Sequence, residues 1–436
     1  MSTHNSRRVV ILNNTIRRGT GGFASILEMA QVFTRIPNVT VQFVVLRMDL
    51  QFKRHLMEIR QDPLNEMIGF LYAPGYRSEM LIKGAGKSRS QIIFRLLVQV
   101  LRKLSKSSIR EILEYVVWFW RSEESARVTT ALNQADILIK AMSLTGKELT
   151  FIRQNSSASL IQNHAGSPET YENYWLSDEH IIEEIDPSLS MYVRFCLAFD
   201  KILFQSTAQA EECGNRHPVL AARVITLHPT CNELDVANYL NSDSPFGVDE
   251  IAIVNVGVLS PRKAQMDSID AFCQIAEVYP NAVLYFLGNT DMWKAYYKEL
   301  IARVKVLDLD ARVQFLGHRR DYLKYMAHAN CIIQTSHGEG VSRVLREAMF
   351  LKVPIVSYAI SGTADLLEGD TDALLVESGN IKVFSEALET LLSDSQLREM
   401  LAENAHARYQ MKHSNDVYVR NLEQLLSKVG DPQERT

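Results

Sequence analysis

The chain has few cysteines, and none of them is arranged to form a framework. Five cysteines (196, 213, 231, 273 and 331) are spread over 436 residues, odd in number and without C-x-x-C spacing. That excludes a disulfide scaffold or a zinc cluster and predicts reduced thiols in a cytosolic setting. No apolar run is long enough to span a bilayer, and the opening Met-Ser-Thr-His-Asn-Ser-Arg-Arg has no signal-peptide core. Charge of one sign does not dominate. Forty-seven basic residues face 51 acidic ones, a net charge of -4, so nothing draws the chain globally to nucleic acid. Internal repeats and low-complexity segments are absent. What remains is ordinary globular composition, 46% hydrophobic and 22% charged, at a length that predicts about two domains.

The sequence pattern is α/β. Arg8-Val-Val-Ile-Leu12 reads as a buried strand, Asn13 to Gly22 as a loop ending Gly19-Thr-Gly-Gly22, Phe23 to Phe33 as a helix and Val39 to Leu46 as a second strand. This is a βαβ unit with glycines at its first turn. It lacks G-x-G-x-x-G and an acid closing the second strand, so a dinucleotide site has little support. Further strands are expected at Asp136–Lys140, Leu149–Arg153, Asp200–Ser206 and Val224–Pro229. Arg153 would then end a strand and Asn155 lie just beyond its carboxyl end, where open sheets bind ligands. His164 reads as a solvated loop histidine.

From about 50 to 130 the pattern is mostly helical and less regular. Between Lys83 and Arg110 there are eight basic residues and no acid, threaded by the apolar stripe Ile92, Ile93, Leu96, Leu97, Val100, Leu101 and Leu104. Val116-Val-Trp-Phe-Trp120 follows. Two readings stand: a basic amphipathic surface at 83–120 that lies on an anionic membrane, or a core-facing helix with a solvated basic face. Asn241-Ser-Asp-Ser-Pro-Phe-Gly247 reads as a linker.

The second half carries the informative stretch. Cys331-Ile-Ile-Gln334 is a buried strand, glycines 338 and 340 make a loop, and Ser342 caps a helix with Val344, Leu345, Ala348 and Met349 on its apolar face. Strand, glycine loop and helix place backbone N–H groups against phosphate. Glu339 lies in the loop and Glu347 in the helix, seven residues between them. That spacing suits one carboxylate beside a diphosphate and another farther along the same ligand, on a pair of ribose hydroxyls. The plain alternative is an i,i+4 surface pair, Arg343 with Glu347, plus a solvated loop acid.

Glu-x7-Glu followed by Ala-Met, with Val353-Pro-Ile-Val-Ser357, Ser361-Gly-Thr-Ala-Asp365 and Ala373-Leu-Leu-Val376, resembles the retaining GT-B glycosyltransferases. The likeness is to the large GT4 family of bacterial sugar transferases and sucrose synthase relatives. It runs from about Ile251 to Val376; the first half matches in outline. The resemblance implies two Rossmann-like domains facing across a cleft. They are an N-terminal acceptor domain at 1–235 with a helical insertion at about 50–130, and a donor domain at 248–412. A final helix within 413–436 would return to the first domain.

It also implies transfer of a hexose, with retention, from a nucleotide sugar such as UDP- or GDP-hexose to a glycan, lipid-linked or protein acceptor. No metal is expected, and a peripheral seat on the inner membrane surface is compatible with it. Lys263 would bind the donor diphosphate and Glu339 would contact the sugar, as the catalytic pair. Glu347 would hold the ribose. Gly257, Arg262, Gly340, Val341, Ser342 and Arg343 would line the donor site, with the base read near His318 and Arg319. Gly21, Gly22, Arg153 and Asn155 are cleft or acceptor candidates.

Several positions depart from the pattern. Val258 stands where arginine is common, leaving Arg262, Arg17 or Arg18 as second cations. Arg153, Gln154 and Asn155 stand where a cleft histidine is usual. Lys352 replaces a glycine. Asp308-Leu-Asp310 and Asp370-Thr-Asp372 read as loop acids, and Asp365 as a local cap. Two other readings stay open: a different GT-B reaction such as nucleotide-sugar 2-epimerisation, and a non-catalytic glycosyltransferase-like subunit or glycan-binding partner.

Overall fold

The structure is a computed structural model. It describes residues 7–13, 21–45, 68–72, 130–140, 149–150, 152–153, 156–164, 176, 180 and 185–429. Two all-parallel sheets organise these residues. The first contains β1 (Arg7–Asn13), β2 (Val39–Val45), β3 (Ile68–Tyr72), β4 (Ile137–Lys140), β5 (Ser159–His164), β6 (Lys201–Phe204) and β7 (Val224–Thr226), in the order β3-β2-β1-β4-β5-β6-β7. The second contains β8 (Ile251–Val256), β9 (Ala282–Leu287), β10 (Val313–Gly317), β11 (Cys331–Gln334), β12 (Ile355–Ala359) and β13 (Leu374–Glu377), in the order β10-β9-β8-β11-β12-β13. This is the GT-B architecture.

The strands form where they do because both sheet faces are covered. Val9 and Ile11 enter one core and Val10 and Leu12 the opposite one, all at most 1% exposed. In the second sheet Ile253 and Val254 split between faces in the same way. A run of β-branched and aliphatic residues buried on both sides is what a covered parallel strand requires. In each sheet strand order reverses beside the first strand, between β1 and β4 and between β8 and β11. Loops leaving the carboxyl ends of such a pair diverge to opposite faces and leave a crevice. Lys263 follows β8 and Glu339 follows β11, so the topology brings the two motifs together.

The chain crosses between the sheets twice, and the crossings are tied to each other. The buried His413 ring bonds through Nδ1 to the Pro229 carbonyl at 3.0 Å. Burial and the nearby Arg346 charge push that imidazole down to about 3, so it is neutral and Nδ1–H donates. Thr230 Oγ1 donates to Asn415 Oδ1 at 3.0 Å, and Asn415 N–H donates to Glu233 at 2.8 Å. The last helix, Asn415–Val429, then packs Tyr418, Leu422, Leu425, Leu426 and Val429 into the core of the first sheet. Each such side chain contributes roughly 1.5–3 kcal/mol of burial.

Two expectations about elements change. Leu149 to Arg153 is not a strand: residues 149, 150, 152 and 153 are helical. Leu149 and Ile152, three apart, both face the same core, and a short apolar run does not by itself distinguish the two periods. The strand lies ten residues later, at β5, which carries His164 as its last residue. Within about 50–130 the described residues are the strand β3 and the start of a helix at 130. The rest of that stretch, including the basic segment 83–120, lies outside the described residues.

Candidate functional site

The site forms where the loops after β8 and β11 meet. Past Gly257 the chain turns through a short 3₁₀ segment, Pro261–Lys263, which ends on Ala264 in the left-handed conformation (φ 46°). Lys263 Nζ lies 2.5 Å from Glu339 Oε1, and Arg262 is 3.1 Å from the same oxygen. Arg262 also donates to the Gly338 carbonyl, and His337 N–H donates to the Arg262 carbonyl at 2.9 Å. The two loops are therefore laced together by side chains and backbone. Burial alone would raise the Glu339 carboxyl, but Lys263 and Arg262 outweigh it and hold the group below the usual range.

Glycines permit this close packing. A Cβ on Gly362 would lie 1.7 Å from the Gly340 carbonyl oxygen and 2.8 Å from that of Glu339. The turn after β12 thus forms the floor of the Glu339 loop. Beneath the loop, Thr335 Oγ1 bonds to the Ala264 carbonyl and the Ser268 hydroxyl, both at 2.8 Å. His337 bonds Ser378 at 2.9 Å and stacks on Tyr358, whose hydroxyl donates to Asp267 at 2.8 Å.

The helix Arg343–Leu351 starts as expected: Ser342 is the N-cap and its hydroxyl accepts from Leu345 N–H. The hydroxyl in turn donates to Gln334 Oε1 at 2.7 Å, fixing the cap to the end of β11. The first-turn amides of such a helix have no intrahelical acceptor and carry the positive end of its dipole. Lys352 ends the helix at φ 56°, which explains why glycine suits that position.

Arg343 and Glu347 do pair, at 2.9 Å, but not on the surface. Glu347 is fully buried, Tyr322 donates to its Oε1 at 2.6 Å, and Arg343 reaches on to Glu28 of the first domain at 3.0 Å. Burial raises the Glu347 carboxyl, with Arg343 and the Tyr322 hydroxyl opposing. Arg346, one position before, is completely buried, and no guanidinium nitrogen finds a hydrogen-bond partner among the described residues.

Other candidates are scattered. His318 is exposed and Arg319 is held by Asp321 at 2.8 Å, on the loop after β10 that leads to Tyr322. Gly21 and Gly22 open the first helix, at the carboxyl end of β1. Arg153 does not face the cleft. It binds the Ala198 carbonyl and Asp200, and Asp200 precedes β6, so Arg153 sits at the amino ends of the strands. Asn155, Arg17 and Arg18 lie outside the described residues. His164 is no loop residue: it ends β5, is fully buried and bonds to Tyr192 at 3.1 Å. Burial and Lys140 hold its ring well below the usual value.

Two other acids of the second half hold structure. Asp372 is buried, paired with Arg408, and accepts from Glu368 N–H at 3.0 Å. Asp365 caps nothing local: it accepts from Ala208 N–H of the first domain at 3.4 Å. Sequence reasoning passed over Tyr322, His337 and Glu28. Glu28 did carry a signal, being the one ionisable residue on an otherwise uncharged, largely apolar helix.

Residues 240–408 match the profile of the family described as "Glycosyl transferases group 1". A capsular polysaccharide biosynthesis glycosyltransferase of Staphylococcus aureus is 25% identical over 179 residues, 41% of this chain and 46% of its own length. An uncharacterised glycosyltransferase of Methanocaldococcus jannaschii is 34% identical over 109 residues, 25% of this chain and 26% of its own. The chain thus spans about a quarter to a half of these relatives' lengths. Among solved structures, Anabaena HepE in complex with UDP-glucose superposes with TM-score 0.66 at 18% identity, covering 97% of this chain and 99% of that one. TarM superposes with TM-score 0.68 at 11% identity, covering 99% and 100%. Among the described residues no helix is long and apolar enough to cross a membrane.

Proposed function

We propose that the protein is a retaining glycosyltransferase that moves a hexose from a nucleotide diphosphate sugar to a glycan or glycoconjugate acceptor. The observation that carries this reading is the junction of Lys263, Arg262 and Glu339 at the switch point of the second sheet, at the mouth of the helix Arg343–Leu351. Two cations and a helix N-terminus offset the charge that grows on a leaving diphosphate. Diphosphate competes with Glu339 for Lys263, so donor binding releases the carboxylate toward the sugar hydroxyls. Arg262 takes the part of the cation that Val258 does not supply. Glu347 is the ribose ligand and the loop at His318 and Arg319 flanks the base. The first sheet offers the acceptor face, near Gly21 and Gly22. Neighbours in fold and sequence support the reading: one is a complex with UDP-glucose, others are capsular polysaccharide and lipopolysaccharide core biosynthesis glycosyltransferases.

Calorimetric binding of UDP-, GDP- and ADP-hexoses to the wild type and to Lys263→Ala tests it. One nucleotide class binds the wild type, and the substitution weakens it by about 1.5–3 kcal/mol, the worth of a hydrogen bond to a charged group. Failure of the wild type to bind any of the three refutes the reading.

A further inference from the structure

We propose that Glu28, from the first domain, is a positioning residue for nucleotide recognition: through Arg343 it fixes the carboxylate of Glu347 from across the cleft. The inference rests on the donor-site reading above.

Glu28 stands on the helix Gly21–Phe33 among Ile26, Met29 and Ala30, which are at most 3% exposed. It is itself only 6% exposed. A carboxylate in such surroundings needs a partner, because burial removes its hydration. Among the described residues it has one: Arg343, at 3.0 Å, and neither of its oxygens accepts a hydrogen bond. Arg343 is therefore held by two carboxylates from two domains, Glu28 through NH2 and Glu347 through Nε at 2.9 Å. A guanidinium is planar and rigid, so anchoring one of its nitrogens sets the direction in which Nε–H points. Tyr322 closes the arrangement with its 2.6 Å bond to the same Glu347 oxygen. Oε1 of Glu347 is thereby committed, and Oε2, without a hydrogen-bond partner, is the oxygen left for a ribose hydroxyl. Lysine at 343 would keep the charge but could not bridge both acids.

The test compares a nucleoside diphosphate with its 2′,3′-dideoxy form by calorimetry on the full chain. The base is whichever of uracil, guanine or adenine the wild type binds. Hydrogen bonds to a charged group are worth about 1.5–3 kcal/mol, so the wild type prefers the ribose form by about tenfold or more. In Glu28→Gln that preference falls below about threefold, while affinity for the dideoxy form stays within about twofold. Arg343→Lys gives the same narrowing and serves if Glu28→Gln does not fold. The double variant loses nothing beyond Arg343→Lys alone. A purely structural Glu28 would lower melting temperature and leave the ratio intact; that result overturns the inference alone. A wild type that binds no nucleotide, or binds both forms equally, overturns the donor-site reading and the inference with it.

Discussion

The carboxyl ends of the two sheets are built differently. In the second sheet the polar groups stand on loops: Arg262 is 58% exposed, and Lys263 and Glu339 are tied to each other rather than to the core. Among the described residues of the first sheet they stand on the strands themselves. Lys140 ends β4 at 1% exposure, its ammonium 4.4 Å above the Phe195 ring, and His164 ends β5 fully buried against Tyr192. Both edges place a cation and further polar groups at strand ends, and among the described residues the loop-borne Arg262 is open to solvent while Lys140 and His164 are not. Polar residues that terminate buried strands are packed against the core, and burial suppresses ionisation of the His164 ring.

Breaking the floor under the loop side has the larger effect. Gly362→Ala places a methyl group on the Gly340 carbonyl, so the loop carrying Glu339 must move. Transfer activity falls at least about tenfold, since small misplacements at a reacting centre are costly. Overpacking removes about 1–3 kcal/mol of stability. A variant with unchanged turnover would show that the loop is not seated as described.

A smaller effect sharpens the same contrast through pH. The folded Glu339 carboxyl lies below its unfolded range, so its ion pairs stabilise the fold above that range. The stabilisation is lost as pH falls through the depressed folded value. Wild type should therefore melt above Glu339→Gln at neutral pH, by about 2–4 °C if the pairs supply on the order of 1 kcal/mol. The gap should close on acidification. A gap that widens in acid would reverse the assigned sign.

The second sheet was legible because its function is written locally. Glycines, a serine cap and two glutamates fall within one strand-loop-helix unit, and Lys263 follows its own strand by a short turn. Tyr322 and Glu28 were not, since they reach Glu347 and Arg343 from other helices and no spacing encodes the meeting. In the first sheet β5 was hidden by its own chemistry. His164 reads as a loop residue and its neighbours Gln162 and Asn163 are as polar, yet all three are buried in the strand. The helical turn at Leu149 and Ile152 was short enough to be taken for the strand instead. Asp372 looked like a loop acid and Asp365 like a local cap because their partners, Arg408 and Ala208 N–H, lie far along the chain.

The most direct measurement is a crystal structure with the nucleoside diphosphate that binds. The account predicts phosphate oxygens within hydrogen-bond distance of Lys263 Nζ and the first amides of the helix Arg343–Leu351, with the ribose on Glu347. A nucleotide seated at the carboxyl edge of the first sheet, with the Lys263–Glu339 pair undisturbed, would contradict it.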